Sequence, residues 1–305
     1  MKVGFIGIGT MGASMASNVR AKGYDLVVND IRREAAAPHL KAGATWAESA
    51  RKVAEAADVV FTSLPGPKEV QAVAEDLFAG MRKGMAWFDL STNSPTVVRR
   101  LSERFAARGI AMLDSPVSGG PSGAKSGKLA LWVGGDQATF ERHLGVLRAI
   151  GDQPIYVGPI GAGSVAKLAH NCASFTVQTA LAEVFTLGVK AGVEPLALFK
   201  ALRQGATGRK RTFDRLAEQF LPGNYDPPAF ALRLAHKDLS LALDLARDVG
   251  VPMQAAEHAK AEFDEALRRG WGERDSRVTM LLQEERAGVE IKVPEDKVQE
   301  VLNRG

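Results

Sequence analysis

A short apolar run from Lys2 breaks into Gly7-Ile8-Gly9-Thr10-Met11-Gly12, then into a helical pattern carried by Met15, Ala16 and Val19 as far as Gly23. Strand, GxGxxG and helix in that order constrain a fold tightly. The glycines permit a tight turn and close backbone approach, and the helix N-terminus offers unpaired amides to a pyrophosphate. Alone the motif is common. It gains weight from its place after the first strand and from a second strand, Asp25 to Asn29, that ends at Asp30. An acidic side chain about twenty residues past the glycines accepts hydrogen bonds from the adenosine ribose and repels a 2′-phosphate, which favours NAD. Arg32 and Arg33 follow at once, and an Arg in this loop welcomes the phosphate of NADP, so NADP stays open.

Asp58 to Leu64 and Met85 to Leu90 read as further apolar strands, with helical segments near 67 to 76 and 95 to 108. That alternation predicts an α/β, doubly wound sheet. The strand ends fall at Leu64-Pro65 and Ser91-Thr92, which in an open sheet line the same crevice as the glycines. Pro65 and Pro95 serve equally well as plain turn and helix-start residues. A short strand, Ile110 to Leu113, leads into DSPVSGGPSGA, Asp114 to Ala124, expected as a loop whose amides and hydroxyls hold an anion such as a carboxylate. A mobile surface loop is the alternative.

The second glycine-rich turn, GPIGAGSVAKLAHN from Gly158 to Asn171, runs into a long pattern that is apolar on every helical face, and such a helix is expected to be buried. Lys167 sits inside it, with Asn171 four residues on and off the same face. A lysine in a first helical turn is ordinarily solvated. In a partly desolvated cleft its pKa falls and it can trade protons near neutral pH, the chemistry of a general acid or base.

At 305 residues the chain is long for one core, which favours two domains. A net charge of +4 would suit nucleic acid only if the Lys and Arg were clustered among aromatics, and they are scattered, so no nucleic-acid partner is expected. No signal peptide or membrane segment is read. The single cysteine, Cys172, has no companions for a disulfide or metal site, so no metal is expected and a cytoplasmic location fits. Beyond Gly192 the pattern is helical, broken at Pro195, Gly205 to Gly208, Leu221 to Pro228 and Gly250 to Pro252. Helices near 231 to 249 and 253 to 269 carry apolar surface that suggests another subunit. Residues from about 288 onward are polar and expected to be a loosely held tail.

Four segments, GIGTMGASMASN (Gly7 to Asn18), DSPVSGGPSGAKSG (Asp114 to Gly127), GPIGAGSVAKLAHN and KDLSL (Lys237 to Leu241), give the chain its likeness. In order and spacing it resembles the β-hydroxyacid dehydrogenase family, which includes 3-hydroxyisobutyrate dehydrogenase and tartronate semialdehyde reductase. The resemblance implies an N-terminal Rossmann domain, residues 1–162, a long interdomain helix and an all-α C-terminal domain of the 6-phosphogluconate dehydrogenase-like type, residues 163–305. It implies that Ser118, Gly119 and Gly120 grip the substrate carboxylate, that Lys167 is the catalytic acid or base, and that Asn171 positions it or the substrate. The nucleotide would meet Gly7, Ile8, Gly9, Thr10, Met11, Gly12, Asn29 and Asp30, and also Leu64, Pro65, Thr92 and Lys237. On its own residues Lys237, followed by Asp238, reads as a surface ion pair worth little. Arg209-Lys210-Arg211 departs from the family, whose small-acid dehydrogenases more often carry uncharged or aromatic residues there. The expected reaction is hydride transfer between a nicotinamide cofactor and C3 of a small 3-hydroxy acid, by a homodimer or homotetramer assembled through the helical domain. Alternatives are an NADPH-dependent reductase of short aldehydo or keto acids or imines, and a non-catalytic dinucleotide-binding scaffold. Lys167 speaks against the imine reductases and the scaffold.

Overall fold

The computed structural model describes residues 1–209 and 211–304, without side-chain detail at Leu241, Leu245 and Arg304. Lys210 of the basic triplet thus lies outside the described residues. The chain divides into two compact units, Met1–Ala173 and Ser174–Gly305.

The first unit is built on nine strands, β1 (Lys2–Ile6), β2 (Asp25–Asn29), β3 (Thr45–Trp46), β4 (Val59–Thr62), β5 (Ala86–Asp89), β6 (Ala111–Asp114), β7 (Val117–Ser118), β8 (Ala130–Gly134) and β9 (Gln153–Gly158). They form one sheet in the order β3-β2-β1-β4-β5-β6-β8-β7, with β9 paired to β8. The run from β3 to β6 is parallel, and β8 runs antiparallel to β6 and β7. This is the order of the doubly wound nucleotide-binding fold, and it reverses direction beside β1, where a crevice must open. Helices α1 (Gly12–Ala21), α2 (Ala37–Lys41), α3 (Ala50–Ala56), α4 (Pro67–Gly80), α5 (Pro95–Ala106), α6 (Gly120–Ser126), α7 (Gln137–Arg142) and α8 (Leu144–Ile150) complete it.

Alternate residues of each strand feed opposite faces, so the central strands read as unbroken apolar runs. Phe5, Phe61 and Phe88 stack across β1, β4 and β5 on one face, with ring centroids 6.3 and 5.0 Å apart. They pack with Met15, Val19 and Leu131. Val60 and Trp87 point the other way, onto Leu77 and Phe105. Each such side chain contributes about 1.5 to 3 kcal/mol through burial.

The stretch expected as a loop from Asp114 to Ala124 folds further than the glycines suggested. Val117 and Ser118 pair with Leu131 and Ala130 of β8, and Gly120 opens α6. Gly119 holds φ at 132°, a left-handed turn that a side chain would strain.

Helix α9 (Ala162–Lys190) runs from the first unit into the second. The expectation that it is buried on all faces fails for the single chain. Val165, Leu168, Phe175, Leu181 and Val184 are exposed, Phe175 by 64%. One chain does not cover an all-round apolar helix of this length. Among the described residues it alone has the length and composition to cross a bilayer. It carries Lys167 and Glu183 along its length, charges that a membrane-spanning helix rarely holds.

The second unit contains α10 (Pro195–Gln204), α11 (Ala206–Arg209), α12 (Leu232–Val249), α13 (Gln254–Arg268), α14 (Leu281–Ala287) and α15 (Glu295–Arg304). Among its described residues there is no strand, only an isolated bridge between Ala231 and Asp275. Glu183 accepts hydrogen bonds from the Ala255 and Ala256 amides, satisfying the start of α13. The C-terminal residues are held more firmly than expected. The Val293 amide donates to the Leu221 carbonyl at 2.7 Å, and α15 buries Val298.

Candidate active site

Two cavities open at the carboxyl ends of the parallel strands, both built wholly from the first unit. The larger, about 500 Å³, is lined by Gly7, Gly9, Thr10, Met11, Gly12, Asn29, Asp30, Leu64 and Pro65. A Cβ on Gly12 would overlap the Gly7 carbonyl oxygen, whereas one on Gly9 would meet nothing within 4 Å. Thus Gly12 is required for the turn to close on its helix, and Gly9 keeps open the space at the α1 N-terminus that a pyrophosphate would fill. Ile8 does not line the cavity; its side chain lies in the core, and its amide donates to Asp30 Oδ2 at 2.9 Å.

Asp30 therefore serves the loop as well as the pocket. Oδ1 accepts from the Arg32 amide at 2.9 Å, and the Arg32 guanidinium stands 3.9 Å away. Each carboxylate oxygen retains a lone pair for a ribose hydroxyl. Arg33 is drawn aside, over the Trp46 ring and toward Glu48. Ile31, Glu69, Ala72 and Val73 also line the cavity. The sequence offered no signal for them beyond their position after β2 and on α4.

The smaller cavity, about 310 Å³, is lined by Ser118, Gly119, Gly120, Thr92 and Lys167. It shares Met11, Ser63, Leu64 and Pro65 with the first. Lys167 reaches it because the start of α9 docks tightly on the sheet. Asp114, at the end of β6, accepts the Gly161 amide at 2.8 Å and the Ser164 amide at 2.6 Å. A Cβ on Gly163 would overlap the Trp132 carbonyl oxygen, so only glycine allows this approach. One turn on, the Lys167 ammonium lies 5.9 Å from the centre of the Trp132 ring. Burial holds it below the ordinary lysine range. Asn171, one turn further, is half-buried but does not line this cavity.

The loops after β4 and β5 are fixed from below by a buried network. Asp89 accepts from the Thr62 hydroxyl (2.9 Å), the Ser91 amide (3.1 Å) and the Asn93 amide group (3.0 Å). Ser91 Oγ in turn accepts the Leu64 amide at 2.9 Å. Burial pushes the Asp89 carboxyl up from its usual range, against the pull of the Ser91, Asn93 and Thr62 hydrogen bonds. Sequence reading missed Asp89, His170 and Trp132.

Lys237 belongs to the second unit, on α12. It is exposed, with its ammonium 3.0 Å from Asp238. Among the described residues no group of His, Cys, Asp and Glu is arranged to hold a metal.

Residues 2–158 match the model of the NAD binding domain of 6-phosphogluconate dehydrogenase. Residues 161–282 match that of the NAD-binding domain of NADP-dependent 3-hydroxyisobutyrate dehydrogenase. The chain belongs to the β-hydroxyacid dehydrogenase family. It is 33% identical to 2-(hydroxymethyl)glutarate dehydrogenase of Eubacterium barkeri over 95% of this chain and 97% of that one. It is 34% identical to NAD-dependent L-serine dehydrogenase of Pseudomonas aeruginosa, over 92% and 97%. A solved structure of Mycobacterium tuberculosis 3-hydroxyisobutyrate dehydrogenase with L-serine superposes with a TM-score of 0.66 at 31% identity, covering 92% of this chain and 98% of that one. Family membership and the glycine cleft together make the chain an oxidoreductase that binds a nicotinamide dinucleotide.

Proposed function

We propose that the chain moves a hydride between C3 of a small 3-hydroxy acid and the nicotinamide, with Lys167 exchanging the hydroxyl proton. The observation that carries this reading is one cavity lined by both a half-buried lysine and the Ser118-Gly119-Gly120 turn, which shares Met11, Ser63, Leu64 and Pro65 with the larger cavity. The cofactor, when bound, supplies the hydride acceptor. In the oxidative direction neutral Lys167 takes the hydroxyl proton and later releases it to solvent; in the reductive direction its ammonium returns one. Ser118 and the amides of the turn hold the carboxylate, and Asn171 positions Lys167 or the substrate. The substrates in the three relatives' names all carry the hydroxyl on the carbon beta to a carboxylate, which supports C3.

Residues 1–162 would then hold the nucleotide, and residues 163–305 would serve the substrate and assembly. Thr92 and Lys237 complete the cofactor contacts in this reading. The exposed apolar face of α9 supports a homodimer or homotetramer, since a patch of that kind is rarely left to water. The cytoplasm is the compartment this reading assigns.

The test is a panel of small acids with NAD and NADP. Small 3-hydroxy acids are expected to be oxidised, and their methyl esters and matching alcohols hardly at all, because an unpaired buried donor costs about 1 to 3 kcal/mol. Ser118→Ala should raise KM for the acids. Equal kcat/KM for acid and ester would show that the turn does not read a carboxylate.

Cofactor choice follows from Asp30. NAD is expected to be preferred, and Asp30→Ser to shift the NADP-to-NAD ratio of kcat/KM upward by roughly ten- to a hundredfold, the worth of one or two charge-assisted hydrogen bonds from Arg32. An unaltered enzyme that already favours NADP would refute the assignment.

A further inference from the structure

We propose that His170 is a positioning residue for substrate binding, which turns the Ser118 hydroxyl toward the substrate carboxylate. The inference rests on the reading of Ser118 as a carboxylate contact. His170 lies on α9 three residues past Lys167, and its Nε2 is 3.4 Å from Ser118 Oγ. The imidazole packs on Trp132 of β8, with ring centroids 5.1 Å apart. Trp132 therefore backs both Lys167 and His170. Because β7 and β8 pair through Ser118 and Ala130, ring and hydroxyl are held by one local frame.

His170 does not line the cavity that Ser118 and Lys167 share, so it acts through Ser118. A serine hydroxyl rotates freely, and the partner it meets decides what it offers. With the proton on Nε2, His170 donates to Ser118 Oγ and leaves the hydroxyl hydrogen for the carboxylate. With the opposite tautomer Ser118 would donate to the ring and face the carboxylate with lone pairs, which would repel it. His170 thus carries its proton on Nε2 when the acid is bound. The present separation is long for a hydrogen bond, and such contacts commonly tighten when substrate binds.

The test is steady-state kinetics on the full chain with 3-hydroxyisobutyrate and NAD, comparing Ser118→Ala, His170→Ala, the double variant and His170→Gln. His170→Ala should raise KM for the acid by about three- to tenfold, the worth of one neutral hydrogen bond. Its kcat should stay within about twofold and its KM for NAD unchanged, a split that general loosening of the fold would not produce. The double variant should be no worse than Ser118→Ala. His170→Gln, which keeps a donor near the same place, should recover most of the loss. An unchanged KM in His170→Ala, independent multiplying effects in the double variant, or failure of the glutamine to recover binding would each overturn the role of His170 while leaving Ser118 in place. An unchanged KM in Ser118→Ala would instead remove the carboxylate reading, and this inference with it.

Discussion

Lys167→Ala is expected to lower kcat for oxidation of a 3-hydroxy acid by about a hundred- to ten-thousandfold, the range a positioned general acid or base supplies. Cofactor affinity should survive. Lys167 is absent from the larger cavity, whose lining comes from the ends of β1 and β2 and from the segments that follow β1, β2 and β4. Nucleotide binding, measured by calorimetric titration, therefore separates lost chemistry from a lost fold. The pH dependence carries its own sign. Burial lowers the lysine pKa, and only the neutral amine accepts a proton, so oxidation should rise with pH through an apparent pKa below the ordinary lysine value. Reduction of the matching aldehyde, which needs the ammonium, should fall over the same range. Lys167→Arg keeps the charge but cannot release its proton at these pH values, so it should be nearly as inactive in oxidation as the alanine variant. Near-normal kcat in either variant would end the assignment of Lys167.

Most of the first unit was legible because its central strands, such as β4 and β5, are buried on both faces. Asp25 to Asn29 matches β2, and the helices near 67 and 95 begin at their prolines. The glycines were legible for the same reason: a tight turn into a helix leaves few other residue choices at Gly7 and Gly12. What escaped was structure without periodicity. Segments β3 and β7 are two residues each, too short for any pattern, and β9 contains Pro154 in a run of mixed burial. The network around Asp89 escaped because each member looks ordinary in sequence. Thr62, Asp89 and Asn93 become partners only when β4 and β5 pair Thr62 with Asp89. The helix α9 misled in the other direction. Its pattern is apolar on every face, which reads as burial, yet Phe175, Leu181 and Val184 are exposed in the chain.

That network yields the largest expected effect on stability. Asp89→Ala leaves the Thr62 hydroxyl, the Ser91 amide and the Asn93 side chain without their acceptor in a fully buried place. Each orphaned group costs about 1 to 3 kcal/mol, offset in part by removal of a desolvated carboxyl, so a loss of about 3 to 5 kcal/mol is expected in denaturant melts. The site should loosen with it. Ser91 carries the Leu64 amide, and Leu64 lines both cavities, so KM for cofactor and for acid should rise together. Trp87, whose indole N–H donates to Thr62 Oγ1 at 2.9 Å, would lose the orientation of its partner as well. Asp89→Asn keeps the volume and one acceptor oxygen and should cost less, about 1 to 3 kcal/mol. Its pH dependence follows from the raised carboxyl pKa. A group raised by folding contributes fully below its unfolded pKa and loses that contribution as pH climbs through the folded value. Asparagine does not titrate, so the deficit of Asp89→Asn against the unaltered chain should be larger at the acid end of the folded range than at neutral pH. A deficit that grows instead toward neutral pH would mean that the hydrogen bonds outweigh burial and that Asp89 is held as the carboxylate.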